Sequence, residues 1–174
     1  LALAYTEAYQ QTRRPLYGEI VRRTLDYVLR ELRDFQGGFY CGQDADSEGV
    51  EGKYYVFTPE EVKSVLGDAD GEEFCRFYNI TATGNFEGKS IPNRIGKDLE
   101  YSSDLTMPQA WKSRLYDYRL KRTTLHKDDK ILLSWNAWTI IAFVKAGKVL
   151  DESLYIEAAI RTRNFIEEKM TDEN

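Results

Sequence analysis

The fold is decided by the stretch "LALAYTEAYQQTRRPLYGEIVRRTLDYVLREL" (1–32). It aligns without a gap with a second stretch 138 positions later, "TIIAFVKAGKVLDESLYIEAAIRTRNFIEEKM" (139–170). Seven positions of this alignment are identical, among them the pair Tyr17 and Tyr155. Other positions match one aromatic or aliphatic residue with another. Self-similarity of this kind predicts a structural unit that occurs twice.

Each copy predicts two helices joined by a short turn, because apolar residues recur at the i, i+3, i+4 spacing on both sides of a polar break. The breaks are "QTRRP" and "LDES". Pro15 suits the first turn of a helix, and Ser153 suits the N-cap position of its counterpart. Such a hairpin cannot bury its own apolar stripe and requires helical neighbours, as in helical repeats and toroids. We therefore expect a mainly α chain that is an excised piece of a larger helical domain, with a complete small helical protein as the alternative.

The segment between the two copies carries a different pattern. Two aromatic, β-prone runs, "GFYCGQ" and "GKYYVFT", flank the acidic stretch "DADSEGVE" and predict a small β-hairpin at about 38–57. The sequence "TPEE" (58–61) predicts a helix start with a capping box. Short helices should follow, then a charged helix near 105–121. A long helix should open between Asp129 and Trp135.

Composition and charge limit the classes of protein to which the chain can belong. The chain has 174 residues, 42% of them apolar, which is enough for one sizeable core. Its net charge is −5 without a basic block, so we predict no nucleic-acid partner, and without a long apolar run we predict no membrane span. Cys41 and Cys75 are far apart, which favours reduced thiols in a cytoplasmic protein over a disulfide. His126 is the single histidine, so neither a metal nor a cofactor is predicted.

The first candidate site is the acidic stretch. Asp44 and Asp46 alternate along a strand-like segment and would share a face, where paired carboxylates suit the acid/base chemistry of glycoside hydrolysis. Gln43 and Glu48 flank them as candidate substrate contacts. The alternative is that Asp44 caps a turn and Asp46 lies in solvent. The acids also mimic the start of an EF-hand loop, but Tyr55 stands where its bidentate Glu should be, so calcium is not predicted.

The second candidate site is the sequence "DDKILLSWN". Asp129 is the candidate catalytic partner of the first acids, and Asp128 and Lys130 are candidate substrate contacts. Trp135 could supply an apolar platform for a sugar and Asn136 an amide that both donates and accepts hydrogen bonds. The alternatives are that the two acids cap a helix N-terminus and that the tryptophan is buried in the core.

Three motifs, in the order "GGFYCGQDADSEGVEGKYYVFTPEEVKSVLG", "GNFEGKSI" and "DDKILLSWNAW", carry a resemblance over nearly the whole chain. Together they resemble the middle of the YyaL family, whose members are also called thioredoxin-domain-containing or spermatogenesis-associated protein homologues. The resemblance implies a fragment of a six-hairpin-glycosidase-like (α/α)6 toroid, with the family's upstream thioredoxin-like domain outside this sequence. Ala137, Leu133 and Cys41 depart from the residues usual in the family.

Two functional hypotheses follow from the acids and the resemblance. The first is a carbohydrate-active, hydrolase-like site with a sugar ligand. The second is a non-catalytic binding or scaffold toroid that serves the thioredoxin-like domain of the parent protein. The first hypothesis requires Asp44 and Asp46 to lie close to the N-terminal end of the helix that carries Trp135. Because two hairpins cannot close a ring, we also expect an exposed apolar face that favours self-association.

Overall fold

The computed structural model describes residues 1–97 and 107–171 and is mainly helical in these ranges, as predicted. It divides into two compact units. Unit 1 comprises Leu1–Gln43 and Lys127–Asn174, and unit 2 comprises Asp44–His126. The toroid arrangement implied by the family resemblance stays a prediction.

Unit 1 contains two helical hairpins, in agreement with the repeat. Its helices are α1 (Ala2–Thr12), α2 (Pro15–Tyr27), α6 (Leu133–Leu150) and α7 (Ser153–Lys169). A five-residue π-helical turn, Val28–Leu32, continues α2. The first helix of each hairpin ends, and the second begins, at positions that correspond after a shift of 138 residues. Both connecting turns pass through a left-handed residue, Arg13 with φ 56° and its equivalent Asp151 with φ 57°.

The correspondence between the hairpins extends to side-chain packing. The rings of Tyr5 and Tyr17 lie 5.7 Å apart at an interplanar angle of 52°. The equivalent pair, Phe143 and Tyr155, has the same centroid distance and an angle of 50°. Helix α1 packs against α6. The buried apolar residues of both hairpins and of the loop after α2 form one core: Ala2, Val21, Leu25, Phe39, Phe143, Ala146, Leu150, Tyr155, Ala158 and Ala159.

A short antiparallel ladder within unit 1 joins the loop after α2 to the segment before α6. Strand β1 (Gly42–Gln43) pairs with β4 (Lys127–Asp128). Helix α6 follows and has 18 residues. Neither it nor another helix of the described ranges combines the length and the apolar run needed to cross a membrane.

Unit 2 contains strands β2 (Asp46–Ser47) and β3 (Val50–Glu51) and helices α3 (Pro59–Leu66), α4 (Asp68–Phe77) and α5 (Gln109–Arg122). The predicted capping box is confirmed. Thr58 Oγ1 accepts a hydrogen bond from the Glu61 amide at 3.2 Å, and Glu61 Oε2 accepts one from the Thr58 amide at 2.9 Å. The core of the unit comprises Phe57, Val62, Leu66, Phe74, Cys75, Ile80, Met107 and Leu115. Neither Cys75 nor Cys41 is in a disulfide.

The β-hairpin is shorter than the predicted 38–57, because only β2 and β3 pair with each other. The aromatic run that was predicted as the second strand forms a turn followed by an isolated bridge from Phe57 to Ser90. Arg122 Nη2 donates to the carbonyls of Lys53 and Tyr54 at 2.9 and 3.2 Å. A side chain therefore satisfies the carbonyls that a strand ladder would otherwise use.

Candidate functional site

The acidic stretch contains an Asx turn in which the Asp44 side chain bonds the backbone two residues later. Asp44 Oδ1 accepts a hydrogen bond from the Asp46 amide at 3.1 Å, and the Asp44 amide donates to the carbonyl of His126 at 2.9 Å. Both aspartates are exposed. This geometry agrees with the alternative in which Asp44 closes a turn and Asp46 faces solvent.

Glu48 is engaged by other residues of unit 2. Its carboxylate forms an ion pair with Lys53 and accepts a hydrogen bond from Thr123 Oγ1 at 3.1 Å. These bonds, first that of Lys53 and then that of Thr123, lower the pKa of Glu48 below its ordinary value. The left-handed backbone of Glu48, with φ 54°, lies next to Gly49 with φ 77°, in the turn between β2 and β3. The two side-chain contacts of Glu48 therefore stabilise the loop conformation to which its left-handed backbone belongs.

The acids of the second cluster lie before helix α6 rather than at its cap. The helix begins at Leu133, and the N-cap residue Leu132 makes no side-chain capping bond, so the predicted capping by Asp128 or Asp129 is wrong. Asp128 lies in β4 and forms an ion pair with Lys130 at 2.5 Å, and this bond raises the pKa of the lysine. The ladder to β1 holds Asp128 outside the helix, and the start of the helix at Leu133 lies within the predicted range of Asp129 to Trp135.

Asn136 is buried at 1% exposure and bonds to backbone. Its Oδ1 accepts from the Phe39 amide at 2.8 Å. Its Nδ2 donates to the carbonyls of Phe39 and Leu132, both at 3.0 Å. The side chain therefore joins the loop after α2 to the first turn of α6. Its predicted contact with a substrate stays a prediction without support from this geometry.

Both tryptophans at the start of α6 are exposed, Trp135 by 55% and Trp138 by 63%. The alternative of a core tryptophan is therefore wrong for both. Ile141 on the same helix is 48% exposed. We call Trp135, Trp138 and Ile141, which follow one another at i, i+3 spacing, the α6 apolar face. Its exposure agrees with the expectation that the hairpins leave apolar surface uncovered.

Sequence reasoning missed a buried carboxylate, Asp34, in the loop after α2. The carboxylate accepts hydrogen bonds from the Tyr40 hydroxyl at 2.6 Å and from the Gln36 amide at 2.8 Å. The bond to Asp34, then burial, then the charges of Asp34 and Asp129 raise the pKa of Tyr40. The hydroxyl of Tyr40 therefore keeps its proton, and Tyr40 lies close enough to Asp129 for that charge to contribute. The sequence did contain a turn signal here, because Asp34 lies shortly before the glycine pair Gly37 and Gly38.

The candidate residues fall into both units. Gln43, whose Oε1 accepts from the Tyr27 hydroxyl at 2.9 Å, belongs to unit 1 together with the "DDKILLSWN" cluster. Asp44, Asp46 and Glu48 belong to unit 2. The predicted convergence of the two clusters therefore involves both units and stays a prediction. Among the described residues, His, Cys, Asp and Glu form no group of three that could hold a metal ion.

Comparison with known proteins gives relatives along the whole chain. The chain is 28% identical to spermatogenesis-associated protein 20 of Homo sapiens and 27% identical to that of Mus musculus. Each alignment covers 99% of this chain and 26% of the relative, so the chain spans about a quarter of the length of these curated relatives. No family model matches the sequence. The name of these relatives agrees with the naming of the family that the motifs resemble.

Proposed function

We propose that the chain is a helical binding or scaffold module whose contact surface is the α6 apolar face. The observation that carries this proposal is the exposure of Trp135 and Trp138 on one helix, each by more than half. Large exposed aromatic residues that lie together characterise contact surfaces, whereas single exposed apolar residues are ordinary. In the family that the sequence resembles, such a module would serve the thioredoxin-like domain of the parent protein.

The occupant of this face is a further amphipathic helical hairpin of the same, longer protein. Hairpins of this type already pack on each other here, because α1 of the first contacts α6 of the second. The relatives extend over about four times the length of the matched region, which leaves ample chain for further hairpins. Helical repeats bury their apolar stripes by such stacking.

The geometry favours this role over catalysis, since several candidate site residues bond to the protein's own backbone or side chains. Asp44 closes a turn, Glu48 bonds Thr123 and Lys53, and the Asn136 amide holds Phe39. Structural carboxylates and amides bond to nearby backbone and side chains, whereas catalytic ones must remain available to a ligand.

Oxidative labelling of tryptophan tests the proposed contact. Trp135 and Trp138 lie between Lys130 and Lys145 on one tryptic peptide, so mass spectrometry reads them separately from the other tryptophans of either protein. Hydroxyl radicals should modify them readily in this chain and several-fold less in the longer parent protein, where the hairpin covers them. Equal labelling in both proteins would contradict the proposal. Trp138→Glu should destabilise the parent, and the matched control Ile160→Glu, at a position 50% exposed on α7, should not.

A second candidate function is sugar binding at the same two indoles. The observation in its favour is their exposure, because indole faces stack on sugar rings and lie here close in sequence to Lys130. A library of sugars should then shift the tryptophan fluorescence, and Trp135→Ala should remove the response. The absence of a response to every sugar would rule out this second function and leave the scaffold function.

A further inference from the structure

Arg119 on helix α5 is held by two tyrosine rings of unit 2. Its guanidinium carbon lies 4.4 Å from the ring centroid of Tyr54 and 5.1 Å from that of Tyr116. The two rings come from different elements, because Tyr54 lies in the turn after the β-hairpin and Tyr116 lies on α5 itself. The Nε atom of Arg119 is buried, and no described residue accepts its hydrogen.

The neighbouring Arg122 shows how this chain satisfies an arginine that has a structural role. Its guanidinium also lies over aromatic rings, at 4.9 Å from Phe57. It pairs with the Glu61 carboxylate at 3.1 Å, and it donates to two backbone carbonyls. Its Nε is buried without an acceptor among the described residues, as in Arg119, but its terminal nitrogens are bonded. Arg119 lies one turn earlier on the same helix, and its side chain forms neither an ion pair nor a hydrogen bond with the described residues.

We infer that Arg119 anchors a binding site for a small anion that carries a carboxylate or a phosphate group. Two rings that cover a guanidinium restrict its rotation and reduce its hydration, which lowers the cost of ordering it when an anion binds. The planar fork of a guanidinium matches both anions with two parallel hydrogen bonds. The positive charge of Arg119 is also uncompensated within the described part of unit 2, whereas Glu61 compensates that of Arg122.

This site is independent of the α6 apolar face, since it lies in unit 2 and requires none of the residues of unit 1. Failure of either proposal would therefore leave the other unaffected. Carboxylate and phosphate share the chemistry that would recognise Arg119, and separate titrations distinguish them.

The experiment follows the Nε–Hε signals of the full chain by nuclear magnetic resonance. Sodium phosphate and sodium acetate are titrated separately, at an ionic strength held constant with sodium chloride. The Arg119 signal, assigned from its loss in Arg119→Lys, should shift and saturate with at least one of the two anions. The Arg122 signal should move little, because the terminal nitrogens of that guanidinium already bond Glu61 and two backbone carbonyls. Arg119→Lys should weaken binding by about tenfold or more, the loss expected for one charge-assisted hydrogen bond.

Two further variants keep the test decisive if Arg119→Lys folds poorly. Tyr116→Leu removes one ring and keeps the arginine. It should lower the affinity for the anion by about threefold to tenfold. Lys121→Gln removes an exposed positive charge from the same helix and should leave the affinity unchanged. The inference would be overturned if the Arg119 signal saturated with neither phosphate nor acetate. Equal weakening by Lys121→Gln and Tyr116→Leu would also overturn it, because the effect would then be general attraction to a basic helix.

Discussion

The two helical hairpins of unit 1 keep the same geometry with different residues. Their turns share a left-handed residue at the same repeat position, and their aromatic pairs share one centroid distance. Inside the hairpins, however, large and small residues have exchanged places. Gly18 lies against the ring of Tyr9 in the first hairpin, whereas Gly147 lies against Ile156 in the second. After the shift of 138 positions, Gly147 corresponds to Tyr9.

This exchange shows that the repeat conserves the space between its two helices rather than the residue at each position. A Cβ atom at Gly18 would lie 3.1 Å from the Tyr9 ring, and one at Gly147 would lie 2.7 Å from Ile156 Cδ1. In each hairpin one glycine therefore accommodates one large side chain on the facing helix. Close packing requires such compensation, because a core tolerates neither an added nor a missing methylene group without cost.

The largest expected effect tests the different burial of the two aromatic pairs. Phe143 is fully buried and also stacks on Phe39 at 5.5 Å, whereas its equivalent Tyr5 is half-buried. We expect Phe143→Ala to lower the free energy of unfolding by about 4 kcal/mol, through lost transfer energy and a cavity. Tyr5→Ala should cost about 1–2 kcal/mol. Chemical denaturation followed by circular dichroism measures both, and equal losses would contradict the asymmetry.

The second prediction transfers the large and small residue pair of the first hairpin, Tyr9 and Gly18, to the equivalent positions of the second hairpin. Gly147→Tyr should clash with Ile156 and lower the free energy of unfolding by about 3 kcal/mol. Ile156→Gly should also destabilise, because it leaves a cavity and places glycine within a helix. The double variant should recover at least about 1 kcal/mol relative to the sum of the single losses. Strict additivity in this double-mutant cycle would show that the two positions are not compensating partners.

The third prediction concerns identical threonines at equivalent positions. Thr24 and Thr162 each donate to the carbonyl four residues earlier, but the single hydroxyl hydrogen of the buried Thr162 is shared with the Gly37 carbonyl, which lies 2.8 Å from Oγ1. Thr162→Val should cost about 1.5 kcal/mol, because the buried carbonyl loses its partner. Thr24→Val is the matched control and should cost about 0.5 kcal/mol or less. Thermal unfolding monitors both variants, and a reversed order would refute the assigned role of the loop bond.

The smallest effect depends on pH and compares Tyr155 with Tyr17. Burial, followed by the hydrogen bond to Asp26, raises the pKa of Tyr155 above its ordinary value near 10. The unfolded chain therefore loses this proton at lower pH than the folded chain, so stability falls as pH rises above about 10. The slope reaches at most about 1.4 kcal/mol per pH unit.

Tyr155→Phe should remove that part of the decline and cost about 1 kcal/mol at neutral pH, through loss of the bond to Asp26. Tyr17→Phe is the control and should retain the decline. Urea unfolding at a series of pH values gives the free energy of unfolding against pH for both variants. Parallel curves would exclude Tyr155 as the source of the decline in stability.

The repeat allowed the turns of unit 1 to be predicted from sequence, because local helix periodicity and breaks carry that information. The caps were less predictable. Ser153 was expected at the N-cap, but it is the first residue of α7, and Glu152 occupies the N-cap without a side-chain bond. Capping of α6 by Asp128 or Asp129 was one alternative, but the helix begins at Leu133, and Asp128 pairs with Gly42 in the ladder of β4 and β1. Helix boundaries depend on such tertiary constraints as well as on the local sequence.

The hairpin and the candidate site were harder to predict, because their partners are distant in sequence. Gly42 pairs with Asp128, and Asn136 bonds Phe39, which lies 97 positions earlier. The aromatic run that was predicted as a strand is stabilised instead by Arg122. Periodicity describes neighbours along the chain and gives no information about such long-range bonds. The turn at Asp44, by contrast, is local, and sequence reasoning included it as the alternative.

The ladder between β1 and β4 has a consequence for how this gene could have been assembled. Because Gln43 stands opposite Lys127, unit 2 leaves and re-enters unit 1 at neighbouring points of the backbone. Adjacent entry and exit points are where one domain can be inserted into another at little loop-closure cost. Recombination at this position could exchange residues 44–126 for a two-residue turn such as Asn-Gly, or for an unrelated domain, and leave both helical hairpins continuous.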